Sequence, residues 1–117
     1  MRGPLRVGAL LAVMLLVGAA WAAGPQRFWN TTSATITSLR LAAAGSGQWS
    51  RNQCDNDPDH AVEADERLRL DGFAPGRYDV ELVEKSGRRC VVANVEVKDS
   101  GPYAFAIGDQ DLRNCRP

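Results

Sequence analysis

Tyr78-Asp79-Val80-Glu81-Leu82-Val83-Glu84-Lys85-Ser86-Gly87-Arg88-Arg89-Cys90-Val91-Val92-Ala93-Asn94-Val95-Glu96-Val97 is the stretch that decides the fold. Apolar and charged residues alternate from Tyr78 to Leu82, the two-residue period of a strand with one buried face. Ser86-Gly87 is a two-residue hairpin signal. With Lys85 facing Arg88 across that turn, Leu82 meets Val91, Val80 meets Ala93 and Tyr78 meets Val95. All six then lie on one face, as a half-buried hairpin requires. Residues 98–102 can return the chain, and pairing Val97 with Tyr103 sets Val95 opposite Phe105 and Ala93 opposite Ile107. The expectation is a three-stranded meander, with no long 3.6-residue stripe to compete with it.

Strand patterns continue toward the N-terminus. Leu68 and Leu70 alternate with Arg67, Arg69 and Asp71, and Ala74-Pro75-Gly76-Arg77 forms a turn. Arg67, Arg69, Arg88 and Arg89 read as solvated strand faces. Thr35–Leu41 is rich in β-branched and aliphatic residues, and its apolar spacing slips between Ile36 and Leu39, which predicts a bulge. Phe28-Trp29-Asn30 makes a short strand before the turn-like Thr31-Thr32-Ser33. Together these give an all-β protein, a small antiparallel β-sandwich of about six strands.

The first 22 residues carry a different pattern. Arg2 and Arg6 precede an uncharged apolar run, Val7–Ala20, and Ala20-Trp21-Ala22 places small residues where a signal peptidase reads. The run is short for a membrane span. The expected organisation is a signal peptide at 1–22 and one domain at 23–117, with a long acidic loop at 42–66. The 117-residue chain holds 14 basic and 14 acidic residues; losing the signal removes two arginines and leaves a net charge of −2. That balance argues against nucleic acid, which needs a concentrated basic face. No second apolar stretch could span a bilayer.

Cys54, Cys90 and Cys115 all follow the signal, and export favours disulfides. The meander register brings the return strand past Cys90 near Gln110, and the tail to Cys115 starts close by. This puts Cys90–Cys115 ahead of Cys54–Cys115, although spacing alone does not fix connectivity. The cysteines lack zinc-ligand spacing, and His60, the only histidine, is the only base a catalytic cysteine could use.

The loop from Asp55 to Glu66 spans twelve residues. Asp55, Asp57 and Asp59 fall at positions 1, 3 and 5, Val62 at 8, Glu63 at 9 and Glu66 at 12. An EF-hand-type calcium loop needs oxygen ligands at those places, because a hard cation takes six to eight oxygens. This makes the loop a candidate Ca2+ site. His60 stands where glycine normally supplies a positive φ, and Pro58 removes a backbone donor. The flanks lack helical pattern, so only a bare loop between β-elements is expected. Trp49, in the polar part of the loop, either contacts a ligand or anchors the loop to the core. Asn30-Thr31-Thr32 fits a glycosylation acceptor. Ser46, Ser50 and Ser100 lack a nearby base, and Asp109 and Asp111 form a weak acid/base candidate.

Five segments taken together carry a resemblance: Asn30-Thr31-Thr32 before Thr35-Ile36, Gly45-Ser46-Gly47-Gln48-Trp49, Asn52-Gln53-Cys54-Asp55-Asn56-Asp57, Ala74-Pro75-Gly76-Arg77-Tyr78-Asp79-Val80 and Asn94-Val95-Glu96-Val97. The chain resembles small exported bacterial β-sandwich proteins of unassigned activity. Some of these carry glycine at the place of His60, and the resemblance implies no catalytic residue. The functional expectation is an exported, non-enzymatic binding or accessory module of the bacterial envelope, periplasmic or secreted, acting on an envelope or extracellular protein or ligand. A calcium-binding module using Asp55, Asp57, Asp59, Glu63 and Glu66 is the alternative. A small hydrolase using loop carboxylates is the third reading, and it requires a cleft with converging acids.

Overall fold

The computed structural model describes residues 25–117; the expected signal peptide at 1–22 lies outside them. Six strands form two three-stranded sheets. The strands are β1 (Arg27–Thr31), β2 (Ile36–Ala43), β3 (Arg67–Arg69), β4 (Gly76–Glu84), β5 (Arg89–Val97) and β6 (Phe105–Gly108). One sheet has the order β3-β1-β6, the other β2-β4-β5. Both contribute to a single core that includes Phe28, Leu68, Phe105 and Ile107 from the first and Leu39, Leu41, Val80, Leu82 and Val97 from the second. The all-β layered fold is therefore the one the alternation predicts.

The bulge in β2 falls where the spacing slips. Ile36 pairs with Glu84 but Ser38 with Val83, leaving Thr37 as the extra residue. The insertion lets Ile36, Leu39 and Leu41 all point inward, and each is at most 1% exposed.

The central hairpin forms, in a different register from the expected one. Tyr78 faces Val95 as predicted, but Val80 faces Val92 and Leu82 faces Cys90. Two left-handed residues account for the change. The Gly87 N–H donates to the Glu84 carbonyl and the Glu84 N–H to the Arg88 carbonyl, so the loop is Lys85-Ser86-Gly87, three residues long, with Gly87 at φ 99°. A three-residue loop with its last residue left-handed is the usual alternative to a two-residue turn. Farther along, β5 holds an extra residue between Val92 and Val95, and Asn94 adopts φ 60° there. The Asn94 N–H donates to Asp79 Oδ1 at 3.2 Å, which holds the bulge. Between these two features β5 slides by one residue, which turns Cys90 into the core and leaves Ala93 exposed.

The expected meander does not form. Instead of pairing with β5, β6 crosses to the other sheet and runs parallel to β1, with Phe28 opposite Phe105 and Asn30 opposite Ile107. The sandwich therefore holds one parallel pair among its antiparallel ones. The Lys98 N–H still donates to the Ala104 carbonyl at 3.1 Å, a remnant of the return beside β5. The crossing stacks Phe28 on Phe105, centroids 5.0 Å apart, and buries both rings. This core contact favours the second sheet over an added edge strand.

Cys90 and Cys115 are bonded. The pairing is the expected one, reached by another route. Cys90 faces the core opposite Leu82, whereas the sequence register set it on the outer face. The tail, rather than β6, lies along β5: Arg89 and Arg116 exchange N–H to carbonyl bonds of 2.8 Å, and the Val91 N–H donates to the Arg113 carbonyl.

Candidate binding face

The outer face of the β3-β1-β6 sheet collects the side chains of most chemical interest. Phe28 and Leu68 pair across β1 and β3 and point inward, so their neighbours must point outward. Arg27 is opposite Arg69, and Trp29 is opposite Arg67. Tyr103 arrives just ahead of β6. Arg67 lies over the indole of Trp29, its Cζ 4.5 Å from the ring centroid, and the Tyr103 ring sits 5.3 Å from Trp29. A guanidinium, an indole and a phenol thus form one row. Trp29 and Tyr103 are half-buried, while Arg27, Arg67 and Arg69 are exposed.

The row is held from one end. Asp65 adopts φ 69° and its Oδ1 accepts the Trp29 indole N–H at 3.1 Å. The Asp65 N–H donates to the Asn30 carbonyl, and the Asn30 N–H to the Glu66 carbonyl, tying this corner to β1. Among the described residues, none of Arg27, Arg67 and Arg69 is ion-paired; the side-chain pairs are Arg51–Asp71, His60–Asp55, Arg88–Glu84 and Arg89–Glu81.

The acidic loop is organised by its own hydrogen bonds. Gln53–Asn56 forms a short 3-10 turn capped by Asn52, whose Oδ1 accepts from Cys54 N and Leu39 N while its Nδ2 donates to the Thr37 carbonyl. Buried Gln53 accepts from the Asp71 N–H through Oε1 and donates to Asp71 Oδ2. Arg51 meets Asp71 through two guanidinium nitrogens and also reaches the Asn56 side chain. Arg51 lowers the Asp71 pKa, with smaller help from Gln53 and Asn56. This network around Asn52 and Gln53 fixes the long loop. Its sequence signal was a run of amides and acids that is legible only as polar.

The five candidate metal ligands fall within this loop but do not gather. Asp57 Oδ2 accepts from the Asp59 N–H, Glu66 Oε1 accepts from the Glu63 N–H, and Asp55 Oδ1 lies 3.4 Å from His60 Nδ1. Among the described residues, no three His, Cys, Asp or Glu side chains are grouped to hold a metal ion. His60 does adopt φ 55°, the left-handed conformation that its loop position demands.

The remaining candidates resolve as follows. Cys54 is buried, and burial, then Asp55 and Asp57, pushes its thiol up to about 12. A thiol protonated throughout the neutral range is no nucleophile. Asn30 is fully buried; its Nδ2 donates to the Ala34 and Val62 carbonyls, and its Oδ1 accepts from the Thr32 N–H and hydroxyl. Its amide is thus out of reach of a glycosylating enzyme in the folded state. Ser50 accepts from the Leu41 N–H, Asp109 from the Ser33 N–H, and Asp111 from the Gly108 N–H. Trp49 stands 39% exposed and outside the core cluster, so it does not anchor the loop there. A shallow hollow of about 420 Å³ is lined by Ser86, Gly87, Arg88, Cys115, Arg116 and Pro117, with no Asp or Glu side chain among them. Among the described residues, no helix is long and apolar enough to cross a membrane.

Comparison with protein-family models, with curated proteins and with solved structures finds no match to this chain.

Sequence reading placed Arg67 and Arg69 on a solvated face and left Trp29 as part of a short apolar start. The available signal was the inward placement of Phe28 and Leu68, which forces Trp29, Arg67 and Arg69 outward. What the sequence lacked was the pairing of β1 with β3, nearly forty residues apart in the chain.

Proposed function

We propose that this protein is an exported, non-enzymatic binding module of the bacterial envelope and that it binds through the outer face of the β3-β1-β6 sheet. The observation that carries the reading is the Arg67–Trp29–Tyr103 row beside Arg27 and Arg69. Trp, Tyr and Arg are the residues most enriched where binding energy concentrates. Here Trp29 and the arginines project from a paired sheet, so little order is lost on binding. The Arg67 guanidinium lies over the indole and forms no ion pair among the described residues, which leaves its N–H groups to a carboxylate, phosphate or sulfate. The ligand is therefore anionic. A hydrolase needs converging acids in a cleft; here Asp57 and Glu66 are engaged in loop hydrogen bonds, the loop carboxylates are not grouped among the described residues, and the hollow lies elsewhere. Export is supported by the signal-like start and by the Cys90–Cys115 bond, since disulfides persist in oxidising compartments.

Mass spectrometry of protein recovered from producing cells tests export. The reading expects a mature chain beginning near Ala23 with Cys90 and Cys115 joined. A chain retaining Met1, found in the cytosol with reduced thiols, overturns it. For the face, the variant Trp29→Ala with Arg67→Gln should leave a heparin column at lower salt than wild type while keeping its circular-dichroism spectrum. Unchanged elution overturns the assignment of the face.

A further inference from the structure

Resting on that reading of the face, we infer that its ligand is an extended, acidic segment of a partner protein, with carboxylates on alternate residues. The argument comes from register. Arg67 and Arg69 are two residues apart on β3, and both project from the same side of it. Residues i and i+2 of a strand are about 6.6 Å apart. An extended peptide presents every second side chain to one face at that same spacing. Two acids at i and i+2 of such a segment are therefore spaced as the backbone positions of Arg67 and Arg69 are, within reach of both flexible side chains, that of Arg67 leaning toward Trp29. Arg27, opposite Arg69, adds a second guanidinium to that end of the site.

The two ends differ chemically. At one, Arg27 and Arg69 form a purely cationic pair. At the other, Arg67 is stacked on Trp29, with Tyr103 beyond it. Asp65 sits by the indole and is bonded to it. An acid at the Trp29 end thus meets one oriented guanidinium framed by aromatic surface. The aliphatic or aromatic flank of the same segment covers Trp29 and Tyr103, whose rings are only half-buried. Charge alone would attract any polyanion; the spacing and the aromatic row favour a peptide.

The test uses the folded protein and a synthetic peptide of about nine residues in which Glu and Thr alternate and a terminal Phe supplies the aromatic flank. Its controls are a peptide of the same composition with the glutamates in one block, an oligogalacturonate, and vesicles containing phosphatidylglycerol. Binding is followed by calorimetry, or by Trp29 fluorescence in a Trp49→Phe background, at low salt. The inference expects the alternating peptide to bind at least about tenfold more tightly than the blocked one, and Arg67→Gln or Arg69→Gln to remove most of that preference. Thermal melts of both variants should match wild type, since these side chains are exposed. Equal binding of the two peptides overturns the spacing argument. Preference for the oligogalacturonate or the vesicles, lost in Arg67→Gln, overturns the peptide while the face remains the binding surface. Binding of any probe that is indifferent to Trp29→Ala, Arg67→Gln and Arg69→Gln overturns the face itself, as does the failure of all probes to bind.

Discussion

Opening the Cys90–Cys115 bond should cost this protein a large share of its stability. The bond closes a loop with a sequence separation of 25 residues, which holds most of β5, all of β6 and the tail. Loop-closure entropy for that length amounts to about 3.5 kcal/mol at room temperature. Small domains are marginal to begin with, at about 5–15 kcal/mol in total. For a domain of this size the loss corresponds to a fall in Tm of about 15–25 °C. The native state itself should change little. Cys90 is fully buried opposite Leu82, and the ladder between Arg89 and Arg116 remains when the sulfurs part. The assay is urea unfolding of the oxidised protein, the reduced protein and Cys115→Ala, followed by circular dichroism. The reduced protein and Cys115→Ala should agree within about 1 kcal/mol, because Cys115 is only half-buried. Both should show a steeper m-value than the oxidised protein, whose cross-linked unfolded state is more compact. Cys54 is a free thiol and takes no part in the comparison. A difference below about 1 kcal/mol between oxidised and reduced protein would refute the reasoning.

Four further outcomes are expected. Phe28→Ala removes a fully buried ring from its contact with Phe105 and should destabilise by about 3–5 kcal/mol in the same assay; a loss under about 1 kcal/mol would mean the two sheets do not share this core. Asn94→Val forces a β-branched residue into a left-handed bulge and should cost about 1–2 kcal/mol, whereas Asn94→Gly should cost less; the reverse order would place the bulge elsewhere. Because Arg51 holds Asp71 below its ordinary value of 3.8, the pair stabilises above that pH and its contribution disappears as pH falls through the lowered value. Both side chains are about half exposed, so solvent screening keeps the effect small; Asp71→Asn should flatten this part of the acid limb. Millimolar calcium should leave Tm unchanged, since the loop carboxylates are not grouped among the described residues; a saturating rise abolished by Asp57→Asn and Glu66→Gln would establish the loop as a metal site.

Much of the fold was legible along the chain because strands announce themselves locally. The slip between Ile36 and Leu39 specified the bulge in β2, and alternation located β3 and β4. The register of the hairpin was harder to read. Ser86-Gly87 fits a two-residue turn as well as the end of a three-residue one, and one residue of difference moves Cys90 from the outer face to the core. Asn94 alone hinted at the compensating bulge. The acidic loop showed its carboxylates in the sequence but not their orientation. That orientation depends on the backbone N–H groups of Asp59 and Glu63, which take up Asp57 and Glu66.

By itself the sequence determined which residues of β2, β3 and β4 face inward, since the two-residue period is a property of the local backbone. It ranked Cys90–Cys115 ahead of the other possible bonds without fixing the connectivity. Only the tertiary structure decided that β6 lies parallel to β1 in the other sheet, that β3 lies against β1, and that Arg67 therefore stacks on Trp29. Alternation is the same whichever strand lies alongside and whichever way it runs. Neighbour and direction are settled by closing one shared core, around Phe28 and Phe105, which no single segment contains.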